Sequence, residues 1–372
     1  MRYLTNIYCR GFLLLIVAFI MLCGCMKIEP SIPEGVGSEV VFSTPVLSNA
    51  TKVSAYGELT KYPETEKFTV YAKYSPEDFV SWNDPNSVIY IDGIEVGYDD
   101  SVNGWTTKKG SSGQTYYWPN SGKLTFAAYS PSTCSGVTYG QQGLSITDFK
   151  VDSDPSKQYD LLYAPRAMNR TAGSMASGAD YYGTDLNFKH ALSCIEFKVR
   201  NGSNYVGSQI WVKNIRVINT YSQGDFQENI DTADESVYKA SPGWTDQNGE
   251  AEYDVVASDL NQLVEEESEY LEGARSLLLM PQDFDHSGTH VKIRITYNDN
   301  GIDKTEDIDL VSGFDSDNDG VGDTYFNDGT DQIMGWKTGK KYTYTITFGK
   351  YKIFFTPSVK TWTDTYMPPI YI

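Results

Sequence analysis

In "KFTVYAKY", residues 67–74, Phe68, Val70 and Ala72 alternate with Thr69, Tyr71 and Lys73. A period of two marks a strand with one buried face, because successive side chains leave an extended backbone on opposite sides. Runs of the same kind recur at 39–47 (EVVFSTPVL), 87–96, 115–119, 123–131, 276–282, 290–298, 340–349 and 351–362. Clusters of Gly, Asn, Asp, Ser and Pro separate them. With 28 Tyr, 16 Phe and 32 Gly, the chain reads as all-β. Asp92-Gly93 predicts a compact hairpin, and "PNSGK" at 119–123 a turn. Residues 209–220 alternate through Ile210, Val212, Ile215 and Val217 with one slip, read as a bulge. Residues 166–184 have neither period and read as a long loop or interdomain crossing. One helix is expected, over 257–273, starting at a Ser258 cap.

The N-terminus sets the compartment. Gly11 to Leu22 is apolar and follows Arg2 and Arg10, but it is shorter than the roughly 20 residues a membrane-spanning helix needs. Basic start, apolar middle and small-residue exit are the layout of a secretory signal. The exit, Leu22-Cys23-Gly24-Cys25, resembles a bacterial lipobox. In such a signal Cys25 becomes the new N-terminus and carries a covalent lipid that replaces the helix as anchor. A plain signal peptide is the simpler alternative. The expected division is 1–24 signal, 25–37 polar tether, 38–175 an N-terminal domain and 176–372 a C-terminal domain.

The formal charge is −19. Removing residues 1–24, which hold two Arg and no acidic residue, takes it to −21. No local basic patch offsets this, which argues against nucleic acid as a partner. Cys134 and Cys194 remain after the signal; they could pair in an oxidising envelope, or Cys194 could be a buried thiol in an apolar strand. Three histidines (His190, His286 and His290) leave little scope for histidine catalysis, and no nucleophile motif or phosphate loop is visible. The chain therefore reads as non-enzymatic. Trp82, Trp105, Tyr116, Tyr117, Trp118 and Trp211 could form sugar-stacking platforms or core packing.

The sharpest chemical motif is "DSDNDGVGD", residues 315–323. Asp315, Asp317 and Asp319 at alternate positions let short carboxylates converge on one ion, Gly320 takes the turn, the Val321 carbonyl fills the next position, and Asp323 follows. The twelfth position is Phe326, so the loop resembles those of extracellular calcium repeats more than an EF-hand. A structural Ca2+ is the expectation; a solvated acidic hairpin tip is the alternative.

Several stretches together resemble the Bacteroides-type fimbrillin-like lipoproteins: "YYWPNSGKLTFAAYSP" 116–131, "DLLYA" 160–164, "LNFKHALSCIEFKV" 186–199, "LLLMPQ" 277–282, and "GWKTGKKYTYTITF" with "IFFTPSVKTW" within 335–362. The resemblance implies two tandem transthyretin-like β-sandwich domains. It implies a fimbrial (pilus) subunit or adhesin at the outer membrane or in a surface fimbrium, facing outward. Its partners would be other fimbrial subunits, in a homo- or hetero-polymer, the outer membrane through the lipid, and host or bacterial surface ligands. It also implies assembly by strand complementation after proteolytic removal of a first strand, here 39–47 with Val40, Phe42 and Val46. The family's cut follows a basic residue in the next loop. No arginine lies between Cys25 and Arg166, so the matching residue is Lys52, cut by a protease of different specificity; the alternative is that Lys52 is a solvated loop charge and the subunit stays unprocessed as an anchor or tip protein. In the tail, Tyr366, Pro368, Ile370 and Ile372 share a parity, but two prolines make it a poor donor strand, and it reads better as a last edge strand. Two other classes of function stay open: a surface glycan-binding lipoprotein, which would need an exposed aromatic cluster on one face, and a secreted hydrolase, which would need convergent carboxylates or a Ser/His pair.

Overall fold

The computed structural model describes residues 37–43, 45–47, 62–174, 176–178, 181–202, 209–256, 260–311, 332–349 and 353–362. Cys25, Lys52 and the acidic loop with Asp315, Asp317, Asp319, Val321 and Asp323 lie outside them. Residues 33–372 form one compact unit.

The strands in chain order begin with β1 (Val41–Phe42), β2 (Val46–Leu47), β3 (Phe68–Ser75), β4 (Val88–Asp99), β5 (Gly104–Thr106), β6 (Lys123–Ser130), β7 (Val137–Gly140), β8 (Gly143–Lys150) and β9 (Leu162–Arg170). Then come β10 (Ala176–Gly178), β11 (Tyr181–Gly183), β12 (Asn187–His190), β13 (Ser193–Asn201), β14 (Ile210–Gln227), β15 (Gly243–Asp254), β16 (Gln262–Leu263), β17 (Glu269–Tyr270) and β18 (Leu277–Leu279). The last are β19 (Asp285–His286), β20 (Thr289–His290), β21 (Lys292–Asp299), β22 (Ile302–Asp309), β23 (Lys340–Phe348) and β24 (Ile353–Thr361). The all-β expectation holds, and the described residues contain no α-helix.

An eight-stranded sheet runs β1-β5-β4-β3-β6-β9-β12-β2. Its first and last members, β1 and β2, are neighbours in the chain. Residues 42 and 46 are four Cα steps apart, so the two ends of the sheet lie within about 15 Å of each other. The sheet is therefore curled and closed, with residues 41–47 as its seam. Its interior is aromatic: Phe42, Tyr62, Phe68, Trp105, Trp118, Phe126 and Phe188 are all buried.

The second half is a sandwich of a five-stranded sheet (β17-β13-β23-β24, with β18 on β13) and a seven-stranded one (β22-β21-β14-β8-β7, with β15 and β16 on β14). One continuous apolar core lies between them, from Leu144 and Ile146 through Ile195, Phe197, Ile215 and Val217 to Tyr344 and Trp362. β7 and β8 fall between β6 and β9 in the chain, yet belong to the sandwich, β8 pairing with β14 and β7 with β8. β22 closes one edge with Asp303, Lys304, Glu306 and Asp307 exposed, the charged edge by which sheets resist further pairing.

Three local expectations are corrected. Asp92-Gly93 is a bulge inside continuous β4: Val70 pairs with Ile94 and Ala72 with Ile91, so two residues face Tyr71 alone. Gly93 takes φ 63° there, against the Tyr71 ring. Residues 260–273 carry β16 and β17 in place of a helix. Gln262 folds this stretch onto itself, accepting from the Glu272 N–H at 2.7 Å and donating to Glu269 at 3.0 Å. Residues 166–184 contribute the end of β9 and the hairpin β10–β11 instead of a loop. The slip in β14 is a register shift between Val212 and Asn214, as expected. Cys134 and Cys194 are both buried, with no disulfide between them.

The eight-stranded sheet and the sandwich are fastened by a buried ion pair. Arg166 on β9 donates to Glu235, in the β14–β15 connection, at 2.6 Å, and each side chain is 1% exposed. Arg166 also donates to the Tyr139 hydroxyl (3.0 Å) and to the carbonyls of Gly140 (3.0 Å) and Gln141 (2.8 Å). Its guanidinium lies over Phe79, Trp82 and Tyr139, with centroids at 5.5, 4.9 and 5.7 Å. Glu235 accepts from Ser81 (2.6 Å), Gln141 (2.8 Å) and the Trp82 N–H (3.1 Å). Burial by itself would raise this carboxyl. The hydrogen bonds from Ser81, Trp82, Gln141 and Arg166 outweigh burial and hold it below the usual carboxylate range.

Candidate functional site: the seat of the first strand

Residues 39–47 were expected as one first strand; they form two short ones. β1 pairs antiparallel with β5 (Val41 with Thr106, Phe42 with Trp105), and β2 pairs parallel with β12. Ser43 and Pro45 lie between, where the chain crosses from one end of the sheet to the other. Pro45 has no N–H to give a ladder, which favours a break at this point.

The segment is bonded along both sides. On one, the Val40 N–H reaches the Tyr116 carbonyl at 2.8 Å and the Trp118 N–H reaches the Ser38 carbonyl at 3.0 Å. On the other, the Ser43 N–H donates to Thr184 (3.1 Å) and the Thr184 N–H to Val41 (2.8 Å). A polar side-chain contact reinforces the second side: the Ser43 hydroxyl donates to Asp185 at 2.7 Å.

Val40, Val41, Phe42 and Ser43 are at most 2% exposed. Phe42 meets Phe126 edge-to-face at 5.3 Å and Phe68 at 6.0 Å. Behind Phe68 stand Trp105 and Phe188, each 5.6 Å from it, and Tyr62 sits 5.0 Å from Trp105. A side chain of this kind contributes roughly 1.5–3 kcal/mol by burial. Withdrawing the segment would expose that aromatic cluster and leave the backbone groups of Tyr116, Trp118 and Thr184 without partners.

Gly183 makes the close fit possible. Its φ is 132°, and a Cβ there would stand 2.6 Å from the Phe42 carbonyl carbon and the Val41 oxygen. Only a glycine lets this floor approach the strand. Gly37 plays a related part, with its Cβ position 2.8 Å from the Trp118 oxygen.

The other sequence candidates are dispersed. Trp82, Trp105 and Trp118 are core residues, buried like the rings around them. Tyr117 is exposed, and Tyr116, half-buried, meets Tyr90 edge-to-face at 5.7 Å. His190 sits between Asp160 (2.8 Å) and the face of Trp362 (3.6 Å), His290 bonds Asp309 (2.8 Å), and His286 stacks on Tyr221 (3.9 Å). Sequence reasoning found Val40 and Phe42 but missed Thr184, Asp185 and Gly183. The "YYGTD" stretch holding them has no periodicity to flag it.

Comparison with known proteins adds the family. A family described as fimbrillin-like matches residues 62–362. A fimbrial protein from Bacteroides vulgatus shares the fold at a TM-score of 0.52 and 15% identity, over 87% of this chain and 99% of its own. The tip fimbrial protein Mfa3 from Porphyromonas gingivalis, C-terminally truncated, aligns at a TM-score of 0.40 and 10% identity, over 87% of this chain and 100% of its own. No curated protein matches. The family match takes in most of the eight-stranded sheet and the whole described sandwich, and the chain belongs to the fimbrillin-like family.

Proposed function

We propose that this chain is a cell-surface fimbrial subunit or adhesin, without enzymatic activity, that joins other subunits by strand complementation. The seat of the first strand carries this reading. A two-residue strand with an aromatic anchor closes the sheet, and its loss would leave an apolar groove with unpaired backbone groups on both walls. Such a groove is satisfied by a partner's extended segment. Lipid on Cys25 would tether the subunit to the outer membrane, facing outward, and cleavage at Lys52 would release the first strand. A subunit left uncut would remain an anchor or a tip protein. Calcium in the loop of Asp315, Asp317, Asp319, the Val321 carbonyl and Asp323 would stiffen that part of the chain.

The test is the N-terminal residue of the protein taken from cells, read by mass spectrometry, with electron microscopy of the same cells. Val53 at the N-terminus and filaments carrying the protein are the expected result for a polymerised subunit; a lipid-modified Cys25 on filaments marks an anchor or tip. Absence of the protein from every filament, whichever N-terminus it bears, would sink the reading. Calcium titration of the full chain and of its Asp317→Asn variant checks the acidic loop: heat of binding is expected in the first and a weaker response in the second.

A further inference from the structure

The seat is more selective than a generic apolar groove. At Phe42 the cavity is bounded by rings, with Phe126 and Phe68 both meeting the side chain edge-on at interplanar angles of 88° and 79°. An aromatic occupant keeps these contacts, whereas an aliphatic one leaves a void that the packed rings behind Phe68 resist filling. At the next position the requirement reverses. Ser43 is 1% exposed, its hydroxyl is tied to Asp185 at 2.7 Å, and the Gly183 floor lies against the backbone of Val41 to Ser43. An apolar side chain there would give up the hydrogen bond to Asp185 that a serine or threonine hydroxyl makes.

We infer that the seat selects its partner at two adjacent positions: it accepts an extended segment of another subunit in which a phenylalanine is followed directly by a serine or threonine. The inference rests on the strand-complementation reading and names the partner's chemistry. Residues 363–372 do not fit the rule: Tyr366 is followed by Met367, and Tyr371 by Ile372. The occupant is thus a different segment from this tail.

The test uses the full chain with Phe42→Ala, whose own segment is loosened, and labelled nine-residue peptides of the sequence 39–47. If that variant fails to fold, a full chain carrying an inserted protease site within 48–61, cut after folding, replaces it. Binding is read by fluorescence anisotropy for the native peptide, for its Phe42→Ala and Phe42→Leu forms and for its Ser43→Val form. The native peptide is expected to bind, the Phe42→Ala form at least about a hundredfold more weakly, and the Ser43→Val form about tenfold more weakly. Equal uptake of all four peptides overturns the selection rule and leaves strand complementation standing. Uptake of none by the cut chain overturns both.

Discussion

Two buried regions hold the eight-stranded sheet in place, and they are built from opposite chemistry. The seat of β1 is largely apolar: Phe42 lies among Phe68, Phe126 and Trp105, and apart from the Ser43–Asp185 contact the polar links are backbone hydrogen bonds any strand can make. The Arg166–Glu235 junction is ionic, with donors and acceptors drawn from Ser81, Trp82, Tyr139, Gly140 and Gln141. An apolar seat can be vacated and refilled, because its occupant leaves no stranded charge. A buried ion pair cannot be opened so freely, since each partner left behind is an uncompensated charge. The molecule therefore puts apolar chemistry at its seam and ionic chemistry where its parts join. Arg166 is also the first arginine after Cys25, and its burial keeps a protease that reads arginine from cutting there in the folded protein.

The largest expected effect breaks the ionic side. Arg166→Ala strands Glu235 and is expected to cost about 3–5 kcal/mol in denaturant unfolding. Replacing the pair together, Arg166→Met with Glu235→Leu, should restore most of that loss, because no charge is then buried alone. Phe42→Ala is next, at about 3 kcal/mol. Its signature should be local: amide exchange at Val40 and Thr184 accelerates, while the amide of Trp82, bonded to Glu235, keeps its protection. If Trp82 opens together with the seat, the two regions are one cooperative unit and the contrast between them fails.

Gly183→Ala should cost about 2 kcal/mol, from an unfavourable φ and a Cβ pressed on the backbone of Phe42. A slower rate of peptide uptake by the same variant would tie the loss to the seat.

Acidity sharpens the contrast more gently. The folded-state value of Glu235 is depressed, so its contribution is complete above the ordinary glutamate range, about 4.3, and disappears as pH falls through the folded value. Nearby Glu228 behaves oppositely. Burial raises its carboxyl, against the hydrogen bonds from Tyr238 (2.6 Å) and the Leu144 N–H (2.8 Å). The folded state then binds more protons than the unfolded one between the ordinary value and the raised one, and stability declines as pH rises through that window. Glu228→Gln should flatten that decline and raise stability near neutral pH, whereas Glu235→Gln should weaken the acid limb. Parallel pH–stability curves for the two variants would show the assignment to be mistaken. The smallest effect concerns Cys134, whose thiol burial pushes up to about 11. Thiol reagents should leave both it and Cys194 unlabelled until the protein unfolds.

Alternation in β14 was legible because one of its faces is buried; β3 alternates in sequence but is buried on both faces, Thr69 and Lys73 included; and Phe42 was legible as an apolar residue in such a run. The Asp92-Gly93 pair misled because its residues suit a two-residue turn, while long-range pairing of β4 with β3 on one side and β5 on the other keeps the strand going. Residues 257–273 suggested a helix from a Ser258 cap, but Leu263 and Tyr270 are claimed by pairing with β14 and β13. The seam and the ionic junction were invisible for a different reason. Phe42 meets Thr184 and Arg166 meets Glu235 only through the fold, and no local pattern signals either.

The placement of β7 and β8 bears on how the chain must be made. β8 ends at Lys150, but its partner β14 begins at Ile210, so a polypeptide emerging from its N-terminus completes this hairpin well before its docking strand exists. During that interval its backbone edge has no mate. Release of the nascent protein before Gln227 has cleared the ribosome or the translocation channel would yield a form that cannot finish its second core, and premature truncation should produce aggregates instead of a smaller folded fragment.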